Sequence, residues 1–198
     1  MAATKDRILT AGAELFRRQG YHGTGVKQIV AEANAPFGSL YHFFPRGKEQ
    51  LGDEVIRWSG AIYLDLIAAV FDPAPDVATG VRDFFAGAAE VLRETGYVDA
   101  CPIATVAGEI ASTSEVLRQA TADVFESWLD AIHQRFVAAG IPAPRARELA
   151  VLLLAAIEGA FIVCRSTQST EALEVAGEAM AATVRAALPK AAHRRHTA

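Results

Sequence analysis

The side chains best able to do chemistry crowd into one stretch near the N-terminus, "ANAPFGSLYHFFPRGKEQL", Ala33 to Leu51. Ser39, Tyr41 and His42 supply hydrogen-bond donors, and Lys48 follows with a full positive charge. Such donors suit phosphate oxygens, which they meet with charge-assisted hydrogen bonds. Gly38 bares the backbone where a partner must come close, and Ser39 can bond either a base edge or a phosphate. Leu40 and Phe44, four residues apart, fall on one face of a helix and leave Pro36, Phe37, Gly38, Ser39, Tyr41 and His42 on the other.

Catalytic constellations are missing from the sequence. It contains no H-E-x-x-H, no glycine-rich phosphate loop after a strand and no nucleophile-elbow serine. No enzymatic activity, metal or cofactor is expected. The two cysteines, Cys101 and Cys164, lack metal-ligand spacing and read as small buried hydrophobes. Cys101 beside Pro102 is the one candidate nucleophile, and oxidation of its thiol is the alternative signal.

The elements that must position these groups are helical throughout. Ile8, Ala11, Leu15 and Phe16 recur at helical spacing after Thr4, an expected N-cap, and Gly20 marks the stop. A short second helix starts at Thr24 or Gly25, carries Val26, Ile29 and Val30, and ends at Asn34, which tolerates a left-handed turn. Pro36 fits the first turn of a third helix. Two short helices three residues apart, held against a first, form a helix-turn-helix plan whose second short helix enters the major groove. Thr24 and Lys48 stand at the starts of the second and fourth helices, where hydroxyl, charge and helix N-terminus favour phosphate.

Beyond Lys48 the pattern predicts long helices from Lys48 to the prolines at 73 and 75, then over Val77–Thr95, Ile103–Ala111, Ser114–Ala139, Ala143–Thr167 and Glu171–Leu188. No alternating strand pattern occurs. The expected division is a head over 1–48, a helical body over 49–189 and a frayed solvated tail over 190–198. The net charge of −4 conceals an asymmetry: up to Lys48 seven basic residues face three acidic ones, so the head carries +4 and the remainder −8. A basic head on an acidic body suits a chain in which only the head approaches phosphates. The apolar run Leu149–Cys164 is short for a bilayer and interrupted by Glu158, and the N-terminus does not read as a leader, so a cytoplasmic protein without a membrane partner is expected.

At "QGYHGTGVKQIVAEANA" and "GSLYHFFPRGKEQL" the sequence resembles the TetR family of bacterial transcription regulators, close to its G-S-L-Y-x-x-F-x-x-K-E-x-L pattern. The likeness covers about the first quarter of the chain, and Cys101-Pro102-Ile103-Ala104 with "PRGKEQL" is similar to the LmrA/YxaF group. The resemblance implies a homodimer on a double-stranded DNA operator of two half-sites, with a helical body that binds a small molecule. Lys27 and the head residues already named become the expected DNA contacts. Three positions depart from the pattern: Phe37 stands where lysine is common, Phe43 where histidine or tyrosine is common, and Asn34 where glycine is usual. Phe37 could touch a thymine methyl or pack on a neighbour.

In the body, Leu153, Ile157 and Phe161 share helical spacing, as do Leu173, Gly177, Met180, Val184 and Leu188. Periodicity leaves open whether these stripes form an intramolecular core or a four-helix interface, and the resemblance favours the interface, with Leu153, Ile157, Leu173, Gly177, Met180 and Val184 as dimer contacts. Tyr63, Ile67, Phe71, Phe84, Phe85, Phe125, Trp128 and Phe161 could line an apolar pocket. Glu158, a carboxylate within an apolar helix, must be paired, protonated or facing a cavity, and is expected to meet the effector. The expected function is a repressor released from its operator by a small apolar or amphipathic molecule.

Overall fold

The computed structural model describes residues 3–110 and 113–189. Among the described residues the chain forms α1 (Thr4–Gln19), α2 (Val26–Glu32), α3 (Phe37–Phe43), α4 (Lys48–Phe71), α5 (Val77–Glu94), α6 (Pro102–Ile110), α7 (Glu115–Ala138), α8 (Ala143–Thr167) and α9 (Glu171–Ala187). The fold is all-α, as the periodicity predicts. The end of α6 expected at Ala111 and the tail over 190–198, with Arg194 and Arg195, lie outside the described residues.

Local chemistry sets most boundaries. Asp76 caps α5 by accepting from the backbone N–H groups of Ala78 and Thr79, each at 2.9 Å, and Ser114 caps α7 through Leu117 at 3.3 Å. Gly20 (φ 76°) and Asn34 (φ 46°) end α1 and follow α2 with positive φ, as their residue types suggest. Thr4 is not the N-cap of α1. Ala3 holds that position without a side-chain bond, and Thr4 lies within the helix.

α1, α2 and α3 form the head around Ile8, Leu15, Phe16, Ile29, Leu40 and Phe44, all buried. The body packs α4 on α7 and α5 on α9, with α8 against both α7 and α9. The tightest crossings use glycine. A Cβ on Gly60 would come within 2.6 Å of Val124, and one on Gly177 within 2.7 Å of Phe85. Trp128 ties α7 to α4 by donating its indole N–H to the Gly60 carbonyl at 2.9 Å.

Head and body meet along α1, which packs on both α4 and α6. Near the end of α6, Glu109 accepts the His22 backbone N–H at 2.8 Å and lies against Gly20, where a Cβ would have to displace its carboxylate. Body and head are thus joined at the turn that precedes α2.

Candidate nucleic-acid interface and ligand chamber

α3 divides as its sequence predicts. Leu40 and the following Phe44 are fully buried against the head, whereas Phe37 and Tyr41 stand about half exposed, at 47% and 50%. Pro36, Gly38 and His42 are exposed and Ser39 is partly so. The Phe37 ring meets Tyr41 edge-on at 5.8 Å, an outward aromatic pair beside the glycine. A Cβ at Gly38 would touch nothing within 4 Å, so no contact within the chain requires glycine there. Lys27 on α2 is exposed.

Two expected phosphate donors have partners within the chain, and one of them is buried. Thr24 is buried, donating its hydroxyl to the Gly20 carbonyl at 2.6 Å and accepting from Gln19 at 3.2 Å, so it stabilises the turn and does not face solvent. Lys48 donates Nζ to the Tyr21 carbonyl at 2.7 Å and lies over the Tyr21 ring at 4.2 Å. Burial lowers its pKa, with Glu109 opposing. Arg7, which the sequence reading passed over, donates Nε to the Ala33 carbonyl at 3.0 Å and holds the turn between α2 and α3. Nothing local in the sequence marks that role, because Arg7 and its acceptor are 26 residues apart.

In the body a chamber of about 530 Å³ opens between α1, α4, α5, α7 and α8. Of the residues expected there, Tyr63, Ile67, Phe84, Trp128, Glu158 and Phe161 line it. Phe71 and Phe125 do not. Phe71 is buried against Phe84 and Phe136, and Phe125 packs edge-on behind Trp128 at 5.7 Å; both support the wall from outside. Phe85 lies at the crossing of α5 and α9.

The chamber has a polar end that the sequence reading missed. Arg17 pairs with Asp99 at 3.0 Å, the Tyr63 hydroxyl lies within the field of both, and Ser59 lies one turn before Tyr63 on α4. The Cys101 thiol and the Glu158 carboxyl lie close enough on the chamber wall to shift each other's titration. Burial pushes Glu158 up to about 7, an effect the thiol opposes. Burial, then the Glu158 charge, pushes the Cys101 thiol well above its ordinary range. Such a thiol stays protonated, which weighs against it as a nucleophile or oxidation sensor.

The stripes expected at the dimer interface are the protomer's own core. Leu153, Ile157, Leu173, Met180 and Val184 are all buried within the chain, Leu153 and Ile157 line the chamber, and Gly177 admits Phe85. The outward side of α8 is a different stripe: Leu152, Ala155, Gly159, Ile162 and Val163, with Ile162 69% exposed. On α9 the exposed positions include Val175, Ala179 and Ala182. By length and composition α8 is long and apolar enough to cross a membrane. That apolarity comes from two faces, one buried in the body and one uncovered.

Known proteins place this geometry in context. Residues 8–55 match the family described as bacterial regulatory proteins of the tetR family, and residues 77–179 match the C-terminal domain of LmrA/YxaF-like transcriptional regulators. The HTH-type transcriptional regulator YxaF of Bacillus subtilis is 34% identical over 92% of this chain and 95% of its own. LmrA of the same organism, also an HTH-type transcriptional regulator, is 31% identical over 86% of this chain and 90% of its own. The crystal structure of a TetR regulatory protein from Rhodobacter sphaeroides shares the fold at 23% identity, with a TM-score of 0.82 over 91% of this chain and 98% of that one. With family matches over the helix-turn-helix head and most of the helical body, and relatives 31–34% identical over most of both chains, the chain belongs to the TetR family of one-component transcription regulators and is closely related to the LmrA/YxaF group.

Proposed function

We propose that the protein is a cytoplasmic repressor that binds a pseudo-palindromic operator as a homodimer and leaves it when a small apolar or amphipathic effector fills the chamber. The observation that carries this reading is the reach of the chamber to the head: Thr10, Ala13, Glu14 and Arg17, all on α1, form part of its wall. A bound molecule therefore touches the helix that supports the helix-turn-helix. Reweighting two head spacings needs a coupling of only about 1–3 kcal/mol.

The exposed side of α3, with Phe37, Gly38, Ser39, Tyr41 and His42, is the surface that would enter the major groove, and Lys27 would meet the backbone. The uncovered apolar stripes of α8 and α9 supply the dimer contact, since exposed apolar surface of this extent marks an interface. A two-fold pair of such stripes builds a four-helix contact and sets the heads at a fixed spacing.

Footprinting on the DNA flanking the gene tests the reading. The expected result is a protected pseudo-palindrome whose affinity falls with salt and is lost on adding apolar compounds. Tyr41→Phe should weaken all operator variants alike, while Ser39→Ala should change the preference among them. No protection at low salt would remove the DNA-binding reading. Protection that no apolar compound relieves would remove the induction.

A further inference from the structure

Among the described residues, the polar end of the chamber holds three groups that each keep one polar atom without a hydrogen-bond partner. Ser59 is 2% exposed and its hydroxyl has no partner, although it sits within an apolar stretch of α4. Arg17 spends a terminal nitrogen on Asp99 and leaves Nε unpartnered. Asp99 Oδ1 is 3.7 Å from Arg18 Nε and likewise makes no hydrogen bond. Buried polar atoms are ordinarily paired, and three orphans on the wall of one cavity are a concentration that folding alone does not explain. Ser59 lies one turn from Tyr63 on α4, Tyr63 feels the charges of Arg17 and Asp99, and all four line the same chamber.

Their chemistry restricts what can satisfy them. Arg17 Nε donates, Asp99 Oδ1 accepts, and the Ser59 hydroxyl does either. A ligand hydroxyl both donates and accepts and can meet this set, whereas a ligand carboxylate only accepts. The chamber's charge argues against an anion: among the described residues Glu14, Asp83, Asp99 and Glu158 stand on its wall with one cation, Arg17, which Asp99 already neutralises. An anion would enter against net negative charge. An ammonium would leave Arg17 Nε unsatisfied and place a second cation beside it.

We propose that Ser59, Arg17 and Asp99 form a subsite for an uncharged donor–acceptor group, a hydroxyl above all, at the end of an otherwise apolar effector. This inference rests on the chamber being the effector site. The three atoms are shielded at the wall, so the ligand reaches them after the Ser59 hydroxyl and the Arg17–Asp99 pair turn toward the cavity. That movement draws on an ion pair between α1 and the segment before α6, which links recognition of the hydroxyl to the position of the head.

The test compares three probes of one chain length, decan-1-ol, decanoate and decylammonium, below their micelle concentrations. Both tryptophans of the chain, Trp58 and Trp128, line the chamber, so quenching of intrinsic fluorescence reads binding directly. The alcohol should bind about tenfold more tightly than either ion, and Ser59→Ala, with an unchanged melting curve, should weaken the alcohol several-fold while leaving the ions as they were. A carboxylate or ammonium that binds as tightly as the alcohol overturns the subsite, as does an alcohol indifferent to Ser59→Ala, and in either case the chamber remains a ligand site. Absence of binding by all three, with the protein folded, overturns the chamber reading and the subsite together.

Discussion

Glu158 and Thr24 show how burial decides what a polar side chain does. Glu158 sits among apolar groups beside the Cys101 thiol, and burial raises its pKa to about 7. The folded state therefore holds a proton that the unfolded chain has already released, and stability falls as pH rises from the ordinary glutamate range through about 7. Above that window the cost of the buried charge is fully present. Glu158→Gln should leave stability nearly unchanged at pH 5 and raise it by about 3 kcal/mol at pH 8, read from denaturant midpoints at the two values. Thr24 carries the opposite lesson, because its hydroxyl is fully committed to the Gly20 carbonyl. Thr24→Val should cost about 1 kcal/mol in melting experiments and leave the salt dependence of operator binding unaltered. A shallower salt slope would return Thr24 to the phosphate-contacting set.

Among the elements, α8 carries most of the body's work. Its inward stripe, with Leu153 and Ile157, closes the chamber and the core, while its outward stripe is left without cover. The two stripes make separable predictions. Leu153→Ala opens a cavity in the protomer and should destabilise it by about 2–5 kcal/mol in denaturant titration. Ile162→Asp removes no internal contact of comparable size and should instead shift the protein from dimer to monomer in sedimentation at micromolar concentration. A dimer that survives Ile162→Asp would move the interface to another face. The short α3 needs no such partner to be read, since its buried and exposed sides are set within the head.

For the whole molecule the decisive contact is the junction of head and body. Gly20 has φ 76°, and a Cβ there would lie against the Glu109 carboxylate of α6. Gly20→Ala should therefore destabilise the protein by about 1–3 kcal/mol, part through backbone strain and part through the clash. In a double-mutant cycle with Glu109→Ala, the clash part should be recovered, giving a coupling of about 1 kcal/mol by thermal or denaturant melts. Strict additivity would show that α6 does not constrain the turn. Glu109 and Arg17, with the chamber's wall including α1, are among the contacts that tie the head to the body.

How much of this could be read from the chain follows from the range of each interaction. The helices, the all-α class and the polar side of α3 depend on neighbours within a few residues, so periodicity, Gly20, Asn34 and the four-residue spacing of Leu40 and Phe44 sufficed. Glu158 stood out because a carboxylate in an apolar helix is conspicuous without any fold. The Arg17–Asp99–Ser59 cluster was invisible, since its members come from three distant segments and nothing local marks them. Thr24 and Lys48 were assigned from helix ends, but whether a donor at a helix end faces water or a carbonyl depends on the turn packed beside it. The stripes of α8 misled for a related reason: the sequence by itself determined that this helix has more apolar surface than one face can hold. Only the tertiary structure decided which face the body covers, because burial is a property of where other helices pass and not of the helix that is covered.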